Sequence, residues 1–117
     1  MKDGKVLLFS YGTLRNREVQ MANFGRELAG REDVLLGYVR RWVMAADPEV
    51  AAMTGEAEYA SVEPSAVAED AVAGMVFEIS EAELEAADRY EEAALYRRIL
   101  VTLGSGERAW VYVYVRP

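Results

Sequence analysis

The 117 residues contain no histidine and no cysteine. Without cysteine there is no disulfide framework, no thiolate nucleophile and no zinc–thiolate site. Without histidine the usual proton shuttle near neutral pH is missing, and Ser-His-Asp and Cys-His nucleophile pairs are excluded. Histidine-rich metal sites are excluded with them. Lysine is scarce, at Lys2 and Lys5 alone, so acid–base chemistry would fall to Asp, Glu or Tyr. No apolar run approaches the ~20 residues that a membrane-spanning helix needs. Met1 is followed by the charged pair Lys2 and Asp3, which is not a signal-peptide pattern, so the cytoplasm is the expected location. Net positive charge is lacking too. The balance is -7, which disfavours nucleic acid as a partner because affinity there comes mostly from neutralising phosphates.

What remains is an ordinary globular composition, 52% hydrophobic and 28% charged. The length predicts one domain over residues 1–117. Residues 5–10 (KVLLFS) read as a strand buried on both faces, since the apolar run is continuous. A loop follows at 11–15, and Asn16 is suited to cap a short helix carrying Val19, Met21 and Ala22. Gly25 or Gly30 would end that helix. Residues 33–43 (DVLLGYVRRWV) read as one strand with a bulge at Gly37. Pro48 and Gly55 argue against a long helix over 45–58. Residues 59–63 read as a short extended piece, 64–70 as a surface loop and 71–79 (AVAGMVFEI) as a strand. Residues 95–103 and 108–115 pair as a hairpin around Gly104-Ser105-Gly106.

The sharpest local signal is Ser80-Glu81-Ala82-Glu83, a capping box, with Ile79 and Leu84 at the two positions of a hydrophobic staple. It predicts a helix over about 81–91. Projected at about 100° per residue, Leu84, Ala87 and Glu91 share one stripe, Asp88 borders it, and Glu85, Arg89 and Glu92 face the other way. A carboxylate on a core-facing stripe is costly unless it is paired or opens onto a cavity. Two readings stand. Glu91 unwinds to solvent or pairs with Arg97 or Arg98, or it is a general base whose pKa partial burial lifts toward neutrality.

The loop Tyr11-Gly12-Thr13-Leu14 also has two readings. Gly12 makes a turn and nothing more, or it lets several N–H groups face one way, as a nest for an anion. Ser10 and Thr13 make poor nucleophiles, since no histidine is present to activate them.

Together these elements resemble the γ-glutamylcyclotransferase-like family, including its small AIG2-like members. The resemblance rests on the apolar strand running into Tyr-Gly-Thr-Leu-Arg, the strand Gly74-Met-Val-Phe-Glu-Ile-Ser80 and the helix ending Ala87-Asp88-Arg89-Tyr90-Glu91. It continues through Tyr96-Arg97-Arg98 and a final Ala109-Trp-Val-Tyr-Val-Tyr114. It implies an α+β fold, a single compact domain with a mixed, barrel-like sheet and a few short helices. The pocket would lie between the Tyr-Gly-Thr-Leu loop and the glutamate helix. By position, Glu91 matches the catalytic glutamate, and Tyr11, Gly12, Thr13 and Leu14 match the loop that holds the glutamyl part of the substrate. Tyr96 and Arg98 match further motif positions, and Tyr96 is taken as substrate-binding. The implied activity is cyclisation of a γ-glutamyl amine or γ-glutamyl amino acid to 5-oxoproline and a free amine, with no metal and no cofactor. The chain departs from the pattern at Glu92, where many relatives carry glycine, and at Tyr59-Ala60, where relatives often carry Tyr-Pro. Two other classes stay open: a non-catalytic module binding a small carboxylate or amine, and a protein that self-associates through its Tyr/Trp strand.

Overall fold

Strand β1 (Val6–Ser10) lies in the middle of a five-stranded sheet. A computed structural model describes residues 5–44, 58–93 and 95–114. Residues 45–57, where Pro48 and Gly55 argued against a long helix, and Val115 lie outside them. On one side β1 pairs antiparallel with β5 (Ala71–Ile79), which pairs antiparallel with β2 (Gly30–Leu36). On the other side β1 runs parallel to β7 (Arg108–Tyr114), which pairs antiparallel with β6 (Tyr96–Thr102). A separate ribbon is made by β3 (Tyr38–Met44) and β4 (Glu58–Pro64). Two α-helices are described: α1 (Arg17–Phe24) and α2 (Glu81–Glu92).

The continuous apolar run of β1 follows from burial on both faces. Phe9 faces a cluster with Val62, Val72, Val76 and Val111, which the ribbon covers. Leu8 faces a second cluster with Leu14, Ile79, Leu84 and Ala87, which the helices cover. Leu8 and Phe9 are both 0% exposed. Strand β7 alternates likewise, with Val111 toward the ribbon and Trp110 and Tyr112 toward the helices. The implied mixed sheet is present. The ribbon is joined to β7 by a bond from the Tyr114 N–H to the Ser61 hydroxyl at 3.0 Å, and no described ladder closes the two sheets into a ring.

One expected strand is in fact two. The stretch read as continuous over 33–43 breaks at Gly37, whose φ of +77° belongs to the left-handed region that favours glycine. Its N–H donates to Asp70 O at 2.7 Å and its carbonyl accepts from Ser65 N at 2.9 Å. The bonds that would continue a ladder go to the 65–70 loop instead, and the chain crosses from the large sheet to the ribbon. A bulge would have kept both halves in one sheet.

Both helix starts form as their sequences indicate. The Asn16 side chain accepts from the N–H groups of Glu18 and Val19, and helix α1 ends at Gly25, φ +70°. The Ser80–Glu83 capping box is complete, at 2.9 Å and 3.1 Å. Glu83 also takes both bonds of an Arg26 fork, and that guanidinium, helped by the Ser80 bond and opposed by burial, holds the Glu83 carboxyl down at about 2. Caps of this kind contribute about 1 kcal/mol each, and here the arginine also ties the start of α2 to the end of α1.

Candidate active site

Topology brings the loop and the glutamate together. β5 is antiparallel to β1, with Ile79 opposite Val6 and Met75 opposite Ser10. The chain therefore leaves β5 at the edge of the sheet where β1 begins. Helix α2 then runs back along the sheet. Its 12 residues span about 18 Å at ~1.5 Å each, against about 17 Å for a five-residue strand. Its last turn thus arrives level with the end of β1, where residues 11–15 begin. A hydrogen bond of 2.9 Å between Thr13 Oγ1 and the Tyr90 hydroxyl joins the two.

At that junction Glu91 is half-buried, while Glu92 and Arg89 are exposed. This is the division the helical projection predicts. The pairing with Arg97 or Arg98 that one of the two readings allowed is not found among the described residues. Arg98 binds Asp88 instead, and among the described residues no cation or hydrogen-bond donor meets the Glu91 carboxylate. Burial pushes its pKa from an ordinary 4.5 up to about 7. Without a compensating charge, desolvation favours the neutral acid. Glu91 also lies within electrostatic reach of Tyr11. Burial chiefly raises the Tyr11 phenol, and the Glu91 carboxylate raises it further against the lowering by Ser61 and Arg40.

Four consecutive carbonyls of the loop are each held by a protein donor. Tyr11 O accepts from Arg40 Nη2 at 2.6 Å. Gly12 O accepts from the Arg15 N–H and from Arg15 Nε, both at 3.1 Å. Thr13 O accepts from the Asn16 N–H at 2.8 Å. Leu14 O accepts from the buried Gln20 Nε2, also at 2.8 Å. With the carbonyls held, the amides turn the other way. Gly12 N donates to Ser10 Oγ at 3.2 Å, and the N–H groups of Thr13 and Leu14 donate to no described residue. Free amides beside one another suit an anion or an oxyanion.

Gly12 has φ −135°, outside the left-handed region, so the turn does not require glycine for that reason. A Cβ built there meets nothing within 4 Å. The space over Gly12 is open, and a ligand can approach the backbone closely.

The remaining predicted residues take distinct places. The Tyr11 ring is buried beneath the ribbon, and its hydroxyl donates to Tyr112 O at 2.7 Å. Leu14 is buried against α2 and β1. Tyr96 starts β6 just beyond α2, after a turn with Leu95 at φ +68°. Its ring stands edge-on to Tyr114, with centroids 5.6 Å apart. Among the described residues no three His, Cys, Asp or Glu side chains converge as a metal site would require.

Several supporting residues escaped the sequence reading. Asp88, one turn before Glu91, accepts from the Tyr112 hydroxyl at 2.8 Å and from Arg98. The Arg98 guanidinium in turn lies 4.7 Å from the Trp110 ring centre. This cluster pins the end of α2 to β6 and β7. Asp88 bordered the core stripe in projection, which was the available signal. Arg40 and Gln20 gave none, because their bonds to loop carbonyls depend on tertiary packing.

The sequence model of the family described as gamma-glutamyl cyclotransferase, AIG2-like, matches residues 8–117. The chain belongs to this family. Among curated proteins, none matches its sequence. Solved structures of similar fold include two Arabidopsis thaliana proteins determined in solution. One has a TM-score of 0.73 at 23% identity, covering 97% of this chain and 64% of its own. The other has a TM-score of 0.71 at 19% identity, covering 96% and 70%. A third is a structure named gamma-glutamyl cyclotransferase, with a TM-score of 0.70 at 16% identity, covering 96% and 68%. The chain thus spans about two thirds of the length of these proteins, slightly less for the first. At such identities the likeness is one of fold, and it establishes for this AIG2-like chain the α+β class and the mixed sheet. No described helix is long and apolar enough to cross a membrane.

Proposed function

We propose that the protein is a γ-glutamylcyclotransferase-type enzyme that converts a γ-glutamyl amine or amino acid into 5-oxoproline and a free amine. One observation carries the reading: a half-buried carboxyl with no partner among the described residues, raised to about 7, beside a loop whose carbonyls are held and whose amides at Thr13 and Leu14 are free. An unpaired acid in such a place costs stability, and its use as a base near neutral pH explains its presence.

In the proposed reaction the α-nitrogen of the glutamyl group attacks its own γ-carbonyl. The new N–C bond closes the lactam, and the bond from that carbonyl to the leaving nitrogen breaks. One proton moves from the α-nitrogen to the leaving nitrogen. The Glu91 carboxylate takes it from the first and delivers it to the second, so one carboxyl serves twice and no histidine is needed. The reaction is intramolecular, so the main task is to hold a folded, near-attack shape. The Thr13 and Leu14 amides would receive the α-carboxylate or the developing oxyanion, over the open face of Gly12.

The test is to incubate the protein with a panel of γ-glutamyl amino acids and amines and assay 5-oxoproline. Release supports the enzyme. Saturable thermal stabilisation without release would instead make the pocket a binding site.

A further inference from the structure

The two free amides of the loop are not equivalent. A trans peptide points its carbonyl and its N–H in opposite directions, so whatever holds a carbonyl acts on the N–H of the next residue. The peptide that carries the Thr13 N–H has Gly12 O at its other end. That oxygen accepts from the Arg15 guanidinium through Nε as well as from the Arg15 N–H, both at 3.1 Å. The peptide that carries the Leu14 N–H has Thr13 O at its other end, held by the neutral Asn16 N–H. Arg40 holds Tyr11 O, but the N–H of that peptide, on Gly12, is spent on Ser10 Oγ. Of the amides of residues 12–14, Thr13 is therefore the one that is free and has a charged donor behind it. No carboxylate among the described residues pairs with Arg15. Arg15 and Arg40 line an open groove of about 450 Å³, and its acid, Asp70, is engaged by the Ser65 hydroxyl at 2.6 Å.

We propose that Arg15 is a positioning residue that strengthens the Thr13 amide as a donor to the negative charge of the substrate, acting through the 12–13 peptide from the face opposite the substrate. The inference rests on the cyclotransferase reading and adds a residue to it. Two effects act in the same direction. A charged donor on a carbonyl polarises its peptide, and the N–H at the other end becomes the stronger donor. The guanidinium also stands within about 9 Å of an anion on that N–H, by ordinary bond lengths and hydrogen-bond distances. At that range one unit charge contributes roughly fivefold to an equilibrium or a rate, at an effective dielectric between those of a protein surface and water. An α-carboxylate held there gains in the ground state, and the effect falls on KM. An oxyanion gains only in the transition state, and the effect falls on kcat.

The test measures 5-oxoproline release from γ-glutamyl-L-alanine by wild type, Arg15→Gln and Arg15→Lys at two salt concentrations. At about 0.02 M KCl the Debye length is roughly 20 Å, and at about 1 M it is roughly 3 Å. Both variants keep the backbone bond to Gly12 O, so the turn retains a donor there. Arg15→Gln is expected to lower kcat/KM about fivefold relative to wild type in low salt. In high salt it should come within about twofold of wild type, because salt reaches the open groove and screens the charge. Arg15→Lys keeps the charge and most of the activity. A loss of equal size at both salt concentrations, or one shared by Arg15→Lys, would mark a side chain that only holds the loop in shape, and overturns the proposal. Arg15→Gln equal to wild type in low salt overturns it as well. Absence of 5-oxoproline release by the wild type overturns the cyclotransferase reading instead, and a second arm then decides Arg15 by itself. In that arm 5-oxoproline, an anion, is titrated against thermal stability in low salt. Saturable stabilisation of the wild type, with a midpoint about fivefold lower than for Arg15→Gln, upholds the role. Equal midpoints, or no stabilisation of the wild type, overturn it.

Discussion

Thr13 and Tyr90 stand 77 positions apart in the chain and share a hydrogen bond of 2.9 Å. That bond ties the loop at the end of β1 to the residue just before Glu91. Gln20 and Arg40 hold the loop from other sides.

The raised Glu91 carboxyl has a consequence for stability. Its folded pKa of about 7 lies above the ordinary 4.5, so between these values the folded state binds more protons than the unfolded state. Below pH 4.5 the group carries no penalty. As pH rises through about 7 the buried charge appears and stability is lost. Glu91→Gln removes that charge. The variant should be more stable than wild type at pH 8, by on the order of 1–3 kcal/mol, and indistinguishable from it near pH 4. Chemical denaturation at the two pH values measures the difference.

Activity should follow the opposite limb of the same titration. The base must be ionised, so kcat/KM is expected to rise with pH through about 7 and level off above it. A profile already flat from pH 5 would mean that the working base has an ordinary carboxyl pKa, and Glu91 would not fit.

Two glycines should separate fold from function. A Cβ at Gly74 would lie 2.4 Å from Ser10 O and 2.7 Å from the Phe9 ring, so Gly74→Ala should destabilise by about 2 kcal/mol or more. A Cβ at Gly12 meets nothing, so Gly12→Ala should stay within about 1 kcal/mol of wild type while KM for a γ-glutamyl substrate rises at least about tenfold. Thermal melts and steady-state kinetics on both variants supply the comparison.

Much of this was legible in the residues because the signals were local. The capping box, the Asn16 cap and the unbroken apolar run of β1 each act over a few positions. Helical periodicity alone put Glu91 on the inward stripe and Glu92 on the outward one. The break at Gly37 was not legible, since a glycine in a strand pattern suits a bulge as well as a turn. What decided it was Asp70 and Ser65, distant in sequence, which take the Gly37 backbone bonds. The role of Arg98 was hidden for the same reason. Its partner Asp88 and its platform Trp110 meet only when α2 packs on β6 and β7.

That cluster supplies a positioning test. Burial, and then the Asp88 carboxylate, hold the Tyr112 phenol above its ordinary value, which fits a hydroxyl that donates to the acid and stays protonated. Asp88→Asn keeps an acceptor for Tyr112 but loses the charged contact with Arg98. Stability should fall by about 1–3 kcal/mol. If the cluster also orients the end of α2, kcat drops several-fold with KM little changed, and the kinetic pKa near 7 moves. A loss of stability with kcat, KM and pH profile intact would leave the cluster a structural support only.

The most direct test is release of 5-oxoproline from a γ-glutamyl amino acid at pH 8 by wild-type protein and by Glu91→Gln, with matched circular dichroism to show that both are folded. Steady release by the wild type and a rate at background in the variant is the expected result. Undiminished release by folded Glu91→Gln would contradict the assignment of Glu91 as the group that carries the proton.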